Sequence, residues 1–373
     1  MTDLKKAQHL ILKSTPVLGK ESVPVLDALN RVLAQDITAM EALPAADISA
    51  LDGYAVRYAD LIPGASPGNH PMGVAGESRA GSPYGRTVNE NEAIRITTGA
   101  LIPDGADTII KQEDAIEEEG TLICIRRPGY GEGIRFRGES MHKGDVVLHA
   151  GTVLNPLEIG VLASLRRAYV SVHRKPVVAI VSTGDELSDF HEPYTSFKAM
   201  SSNLYALAAQ VIETGGTPLC MGIVKDDIEA LQSVLDDACH ADVIITSGGS
   251  SKGKYDLIHQ TFETMDVHLR FSNRSRKPGK PTLFGTRGST LFFSLPGNPY
   301  ASMLSFDQLV KPGLYKMMGH PDVFKVYCRL NGHFSGIDTF SGRNASRGDR
   351  QGRAPHVLLG NPSRKSVSGS FSR

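Results

Sequence analysis

The sequence predicts a multidomain chain of α/β and β parts, organised around a central, doubly wound parallel-sheet α/β domain. Three observations carry that prediction. Residues 175–320 alternate continuous apolar strands with amphipathic helices, the order of a parallel sheet covered on both faces. Residues 43–140 are short apolar stretches punctuated by Gly and Pro, with little helical period, as in a β-rich unit. A length of 373 residues holds two or three domains at roughly 150 residues each.

Taken in order, the first forty or so residues read as helical. Ala7, Leu10 and Ile11 share one helical spacing and Val25, Leu26, Leu29, Val32 and Leu33 another, with a break between Pro16 and Pro24. In the β-rich part, strands are expected over residues 92–97, 108–112 and 121–126, and Glu117-Glu118-Glu119-Gly120 reads as a solvated hairpin turn. In the α/β part, residues 176–182 form a buried strand. Residues 202–214 form a helix with Leu204, Leu207, Ala208, Val211 and Ile212 on one face, closed by Gly215-Gly216. Residues 217–224 are the next strand, Asp226 caps a helix carrying Ile228, Leu231, Leu235 and Ala238, and residues 242–246 are a third strand. Beyond His320 the pieces shorten again, with strands over 323–330 and 355–359, as in a small C-terminal β domain. Residues 363–373 read as a polar, basic tail.

Composition narrows the function. Forty Lys plus Arg balance forty Asp plus Glu, so nothing favours a polyanion-coating or lipid-surface role, and neither nucleic acid nor membrane is expected as a partner. Cys124, Cys220, Cys239 and Cys328 stand singly without C-x-x-C spacing, which argues against a zinc site or a disulfide framework and for a reducing compartment. No apolar run reaches the roughly 18 residues a membrane span needs. Lys5, Lys6 and His9 interrupt any signal-peptide stretch, so a cytoplasmic protein is expected.

Local charge must then carry the chemistry. Ligands of open α/β sheets bind beyond the carboxyl ends of the strands, here the loops starting at Thr183, Lys225 and Ser247. Thr183-Gly184-Asp185-Glu186 offers a hydroxyl, backbone amides and two carboxylates for a phosphate or metal, although alone it reads equally as a strand-to-helix turn. Ser247-Gly248-Gly249-Ser250-Ser251-Lys252-Gly253-Lys254 matches G-x-x-x-x-G-K, yet Tyr255 stands where a P-loop needs the magnesium-holding Ser or Thr. A different pyrophosphate cradle, with Asp256 at the opening of a helix as its metal-facing acid, accounts for the same residues. Lys277-Pro278-Gly279-Lys280-Pro281 presents two cations on a turn stiffened by proline, suited to an oxyanion. Leu295-Pro296-Gly297-Asn298-Pro299 reads as a rigid turn shaping the pocket wall. Carboxylates from Asp185 or Glu186, Asp226 and Asp256 suit a divalent cation, magnesium being held by one or two of them plus substrate oxygens. Asp226 alone reads rather as a helix cap. The twelve His residues show no ligand spacing.

Leu51-Asp52-Gly53-Tyr54-Ala55-Val56, Arg95-Ile96-Thr97-Thr98-Gly99-Ala100 and Gly133-Ile134-Arg135-Phe136-Arg137-Gly138-Glu139, followed by the loops above, occur in one order over nearly the whole chain. This set resembles the molybdopterin molybdenumtransferase family, of the MoeA and gephyrin E-domain type. The resemblance implies insertion of molybdate into adenylylated molybdopterin with magnesium-assisted release of AMP. It also implies a homodimer with a site shared between subunits, with the molybdopterin adenylyltransferase and molybdoenzyme apoproteins as further partners. The domains would be an elongated helical unit (1–42 with 141–174), a β-rich insertion (43–140), a molybdopterin-binding-like α/β domain (175–320) and a C-terminal β domain (321–373) that is incomplete against the family's.

Carried over by motif, Asp52, Thr98, Glu186 and Asp256 would be catalytic, and Glu186, Asp226 and Asp256 would hold the metal. Thr183, Gly184, Asp185, Ser247, Gly248, Gly249, Ser250, Lys277, Lys280, Pro296 and Asn298 would bind substrate. Arg343 and Arg347 would be anion contacts of the last domain. This chain departs from the family where Ser140 and Ser201 replace the usual acids and Lys252 replaces an apolar residue. Two other readings stay open: an adenylyltransferase acting one step earlier, since the α/β domain resembles that fold too, and a molybdopterin-binding scaffold with reduced or lost turnover.

Overall fold

A computed structural model describes residues 4–61, 71–248, 254–273, 282–324, 326–330 and 356–360. The chain divides into two compact units, one of Met1–Ala34, Gly151–Ile159 and Tyr169–Arg373, the other of Gln35–Ala150 and Gly160–Ala168.

In the first unit, the carboxyl ends of four parallel strands create the site-bearing edge. The six-stranded sheet runs in the order Thr217–Val224, Val177–Thr183, Val243–Gly248, Thr290–Leu295, Thr282–Arg287, His268–Asn273. Its first four strands are parallel, and Thr282–Arg287 pairs antiparallel with both of its neighbours. The three strands expected to lie parallel, near residues 176–182, 217–224 and 242–246, do so, and the antiparallel strands extend that sheet. Arg287 pairs with Thr290, so Gly288 (φ +57°) and Ser289 close a two-residue hairpin, a connection available only to antiparallel strands.

Side chains alternate across the parallel strands. Val178, Ile180, Val243, Ile245, Leu291 and Phe293 pack with Leu204, Leu207 and Val211 of helix Ser202–Thr214 and with residues of the helical run 299–317. Ala179, Val181, Ile244 and Phe292 pack on the opposite face with Leu231 and Leu235 of helix Ile228–Asp237 and Phe262 of helix Lys254–Thr264. Gly215, at φ +99°, closes the Ser202–Thr214 helix as a left-handed cap. Asp227, not Asp226, caps the following helix, its carboxylate accepting from the Ala230 N–H at 2.8 Å. The next helix opens at Lys254, ahead of the predicted Asp256.

The N-terminal part is less helical than its spacing predicts. Helix Leu4–Ser14 forms, burying Ala7 and Ile11, but Val25–Ala28 makes a single 3-10 turn. Asn30 takes φ +63°, which interrupts a helix, and Val32 and Leu33 bridge to Val153 and Val172 as extended chain. Leu26 and Leu29 stay exposed. Long-range pairing, including strand Lys20–Pro24 against Tyr169–His173, overrides the local period here. Residues 141–174 likewise combine helix Pro156–Ser164 with strands Val146–Leu148 and Tyr169–His173. At the far end, strands Val326–Leu330 and His356–Gly360 pair antiparallel.

The second unit is built on a sheet ordered Thr108–Lys111, Gly53–Val56, Glu92–Ile96, Met72–Ser78, Thr121–Cys124, Ala115–Glu118. Apolar clusters cover both faces: Ala55, Ile94, Ile96 and Ile109 on one, Val56, Met72, Ala93, Ile110 and Leu122 on the other. Gly53 is required at its centre, since a Cβ there would lie 2.0 Å from the Ile110 carbonyl oxygen. Glu119 and Gly120, at φ +48° and +78°, make the expected hairpin turn. Glu117, however, is not merely solvated. It accepts from the Tyr54 hydroxyl at 2.9 Å and from the Arg95 guanidinium, with Nε at 2.8 Å.

Candidate active site

The strand order of the first unit reverses at Val177–Thr183: the chain crosses from it to Thr217–Val224 on one side and from there to Val243–Gly248 on the other. Such a reversal opens a crevice at the carboxyl ends of the strands. Thr183 and Gly248 are paired there. Gly248 has φ +117°, and a Cβ would sit 2.3 Å from the Thr183 carbonyl oxygen, so only glycine lets the two strands close to this distance. Gly184, at φ +152°, turns the chain over the end of the central strand, and its N–H reaches the Val224 carbonyl at 3.1 Å.

Polar side chains replace apolar ones as these strands end. Ser182, Thr183, Thr246 and Ser247 are all buried, and the hydroxyls of Ser182, Thr183 and Thr246, with those of Ser201 and the Asn203 Oδ1, have no hydrogen-bond partner among the described residues. Buried polar groups are normally satisfied, and the edge on which these hydroxyls concentrate is continued in the chain by residues 249–253, outside the described residues. Ser247 is already engaged, accepting from Asn203 Nδ2 at 2.8 Å. The Ser247 hydroxyl is thus tied into the edge, whereas that of Thr183 is not tied to any described residue.

The acids cluster in part. Asp185 and Glu186 are exposed on the loop after Thr183, and the Asp185 carboxylate accepts from the Asp226 N–H at 3.4 Å, which brings together the loops of two adjacent strands. Among the described residues no three ligand-type side chains gather as a metal group. Pro296 is buried, while Asn298 is exposed and its side chain caps helix Pro299–Ser305, accepting from the Ala301 N–H at 3.1 Å. Gly249, Ser250, Lys252, Lys277, Lys280, Arg343 and Arg347 lie outside the described residues, as does the side chain of Asp256.

In the second unit, Asp52 and Thr98 meet across two strand ends. Asp52 Oδ1 accepts from the Thr98 N–H at 2.7 Å and from its hydroxyl at 2.9 Å, and these bonds, the backbone one foremost, hold the Asp52 carboxyl below the usual aspartate range. Arg95, Glu117 and Tyr54 lie on the same sheet. The Arg95 guanidinium holds the Glu117 carboxyl low, and burial, reinforced by Glu117, pushes the Tyr54 hydroxyl up.

The two departures have different surroundings. The Ser140 hydroxyl accepts from the Arg135 guanidinium at 3.0 Å, so it still engages a cation without supplying charge. Ser201 is buried ahead of helix Ser202–Thr214 and makes no capping bond to it. Sequence reasoning gave Asn203 no role in the site; its only signal was a polar residue opening an otherwise apolar helical face.

A strand reversal with a glycine-tight strand pair and a hydroxyl-rich edge defines an α/β protein whose candidate ligand site lies at the carboxyl ends of its parallel strands. Comparisons with known proteins narrow the class. Residues 2–165 match the MoeA N-terminal region (domain I and II), and residues 179–316 match the probable molybdopterin binding domain. A molybdopterin molybdenumtransferase of Nostoc sp. is 35% identical over 327 residues, covering 86% of this chain and 75% of its own. One from Haemophilus influenzae is 34% identical over 348 residues, covering 92% and 83%. The crystal structure of a molybdopterin biosynthesis MoeA protein from Pyrococcus horikoshii aligns with a TM-score of 0.77 at 30% identity, covering 87% of this chain and 82% of that one. The chain belongs to the molybdopterin molybdenumtransferase family.

Proposed function

We propose that this chain is a transferase of molybdenum cofactor biosynthesis that inserts molybdate into adenylylated molybdopterin and releases AMP. The observation that carries this reading is the edge at Thr183 and Gly248, where a switch-point crevice meets a concentration of buried hydroxyls with no partner among the described residues. Backbone amides after Gly248 would receive the phosphates, and Lys277 and Lys280 would neutralise the phosphoanhydride as its P–O bond breaks. Asp52, held ionised by Thr98, would orient polar groups of the substrate.

Magnesium fits the donors in kind. It is held by one or two carboxylates with substrate oxygens completing its shell, and the Asp185–Asp226 contact brings two carboxylate-bearing loops side by side. Glu186, Asp226 and Asp256 would hold it, and bound there it would draw off negative charge from the phosphates. We further propose a homodimer in which Asp52 and Thr98 of one copy complete the sheet-edge site of the other.

The test is AMP release from adenylylated molybdopterin and magnesium, with and without molybdate. Molybdate-dependent release supports the transferase. Tight binding without release would select a scaffold, to which Ser140 and Ser201 in place of acids would point. Consumption of ATP without molybdate would select the adenylyltransferase.

A further inference from the structure

Asn203, in the first turn of helix Ser202–Thr214, bridges the end of one strand and the turn that follows the strand paired with it. Its Nδ2 donates to Ser247 Oγ at 2.8 Å and to the Gly297 carbonyl oxygen at 2.8 Å. A carbonyl only accepts, so the amide nitrogen must face it. Ser247 belongs to the end of strand Val243–Gly248, and Gly297 to the turn after the neighbouring strand Thr290–Leu295. Asn203 Oδ1 is buried with no partner among the described residues, so its two donor contacts hold the amide in place. Asn203 lies outside the apolar core cluster beneath it, which comprises Leu204, Leu207 and Val211 of the same helix.

We propose that Asn203 is a positioning residue that fixes the spacing between the Ser247–Gly248 strand end and the Pro296–Gly297 turn, and so sets the width of the edge that receives the phosphorylated ligand. It acts through Ser247 and Gly297 rather than on reacting atoms, and its activity readout rests on the transferase reading above. Replacement by Asp keeps the volume but sets an oxygen against the Gly297 carbonyl, whereas replacement by Ala removes both bonds and leaves the core contacts.

The experiment compares wild type, N203A, N203D, S247A and N203A/S247A by molybdate-dependent AMP release at varied adenylylated molybdopterin, with thermal unfolding of each. Two lost hydrogen bonds predict a KM raised on the order of tenfold in N203A, with kcat little changed and N203D at least as impaired. The double variant should be no worse than N203A, because the shared bond is already gone. A wild-type KM in N203A, or effects of N203A and S247A that multiply independently, would overturn the proposal. Should N203A fail to fold, an unchanged KM in both N203D and S247A overturns it equally. If the wild type releases no AMP, the transferase reading fails on its own. The Asn203 proposal is then decided by the same comparison of Kd for adenylylated molybdopterin, measured by calorimetry.

Discussion

The Asp52 carboxylate and Thr98, 46 positions apart in the chain, are joined by two hydrogen bonds to a single oxygen, from the Thr98 N–H at 2.7 Å and its hydroxyl at 2.9 Å. Both donors favour the ionised acid, so the folded pKa lies below the ordinary one. The linkage therefore stabilises the fold above the ordinary aspartate range and is lost as pH falls through the lower, folded value. Above about pH 5 Asp52 stays ionised, and an acid limb of activity in that range belongs to another group. Substituting Thr98→Val keeps the N–H and removes the hydroxyl, so the Asp52 pKa should rise part of the way back. Carboxyl-carbon NMR shifts followed against pH check this, and an unmoved titration would show that the hydroxyl contributes nothing.

Gly248→Ala places a methyl 2.3 Å from the Thr183 carbonyl oxygen at a backbone angle hostile to L residues. The strand ends must separate, at a cost of about 1–3 kcal/mol. Urea unfolding should show that loss, and affinity for adenylylated molybdopterin should fall with it. A variant of wild-type stability and affinity would mean that the strand pair is not held this closely.

Glu117 ties hairpin Ala115–Cys124 to the sheet through Arg95 and Tyr54. Its pKa is lowered, chiefly by Arg95, so its contribution is present above the ordinary glutamate range and disappears as pH falls through the folded value. Glu117→Gln should cost about 1 kcal/mol near neutrality, for a partly exposed charge-assisted contact. The gap from wild type should narrow as the pH is taken from neutrality to well below the ordinary glutamate range. Equilibrium unfolding at both pH values tests the sign, and a gap that persists in acid would assign the loss to packing instead.

A site shared between copies predicts complementation. Asp52→Asn and Asp256→Asn proteins should each be inactive as homodimers. Refolded together in equal amounts, half of the dimers would be mixed and one of their two sites intact, giving about a quarter of wild-type activity. Activity no greater than that of the two variants measured separately would rule out a shared site.

Glu186→Gln should raise the magnesium concentration needed for half-maximal AMP release. An unchanged magnesium dependence would remove Glu186 from the metal set.

The α/β strands and their helices were legible because burial on both faces writes continuous apolar runs. Helix 202–214 falls at its predicted limits, and so does strand 217–224, although this edge strand buries only Val224. Position followed from the same pattern, because a strand end in an open sheet is where a ligand sits, and the loops at Thr183 and Ser247 were named on that ground. The long ordered motifs likewise gave the family, which requires no geometry. Tertiary structure alone decided the rest. The spacing from Val25 to Leu33 fits a helix, yet pairing with Val153 and Val172 makes part of it extended chain, because contacts distant in sequence outweigh a local period. Arg287-Gly288-Ser289-Thr290 turned a parallel edge into an antiparallel one. Two glycines in a sequence look alike, but Gly248 is required by a carbonyl oxygen 65 positions earlier in the chain, and Asn203 acquires a role only because two strands end beside it. Side-chain periodicity records which face of an element is buried; it carries no record of which distant loop that element will meet.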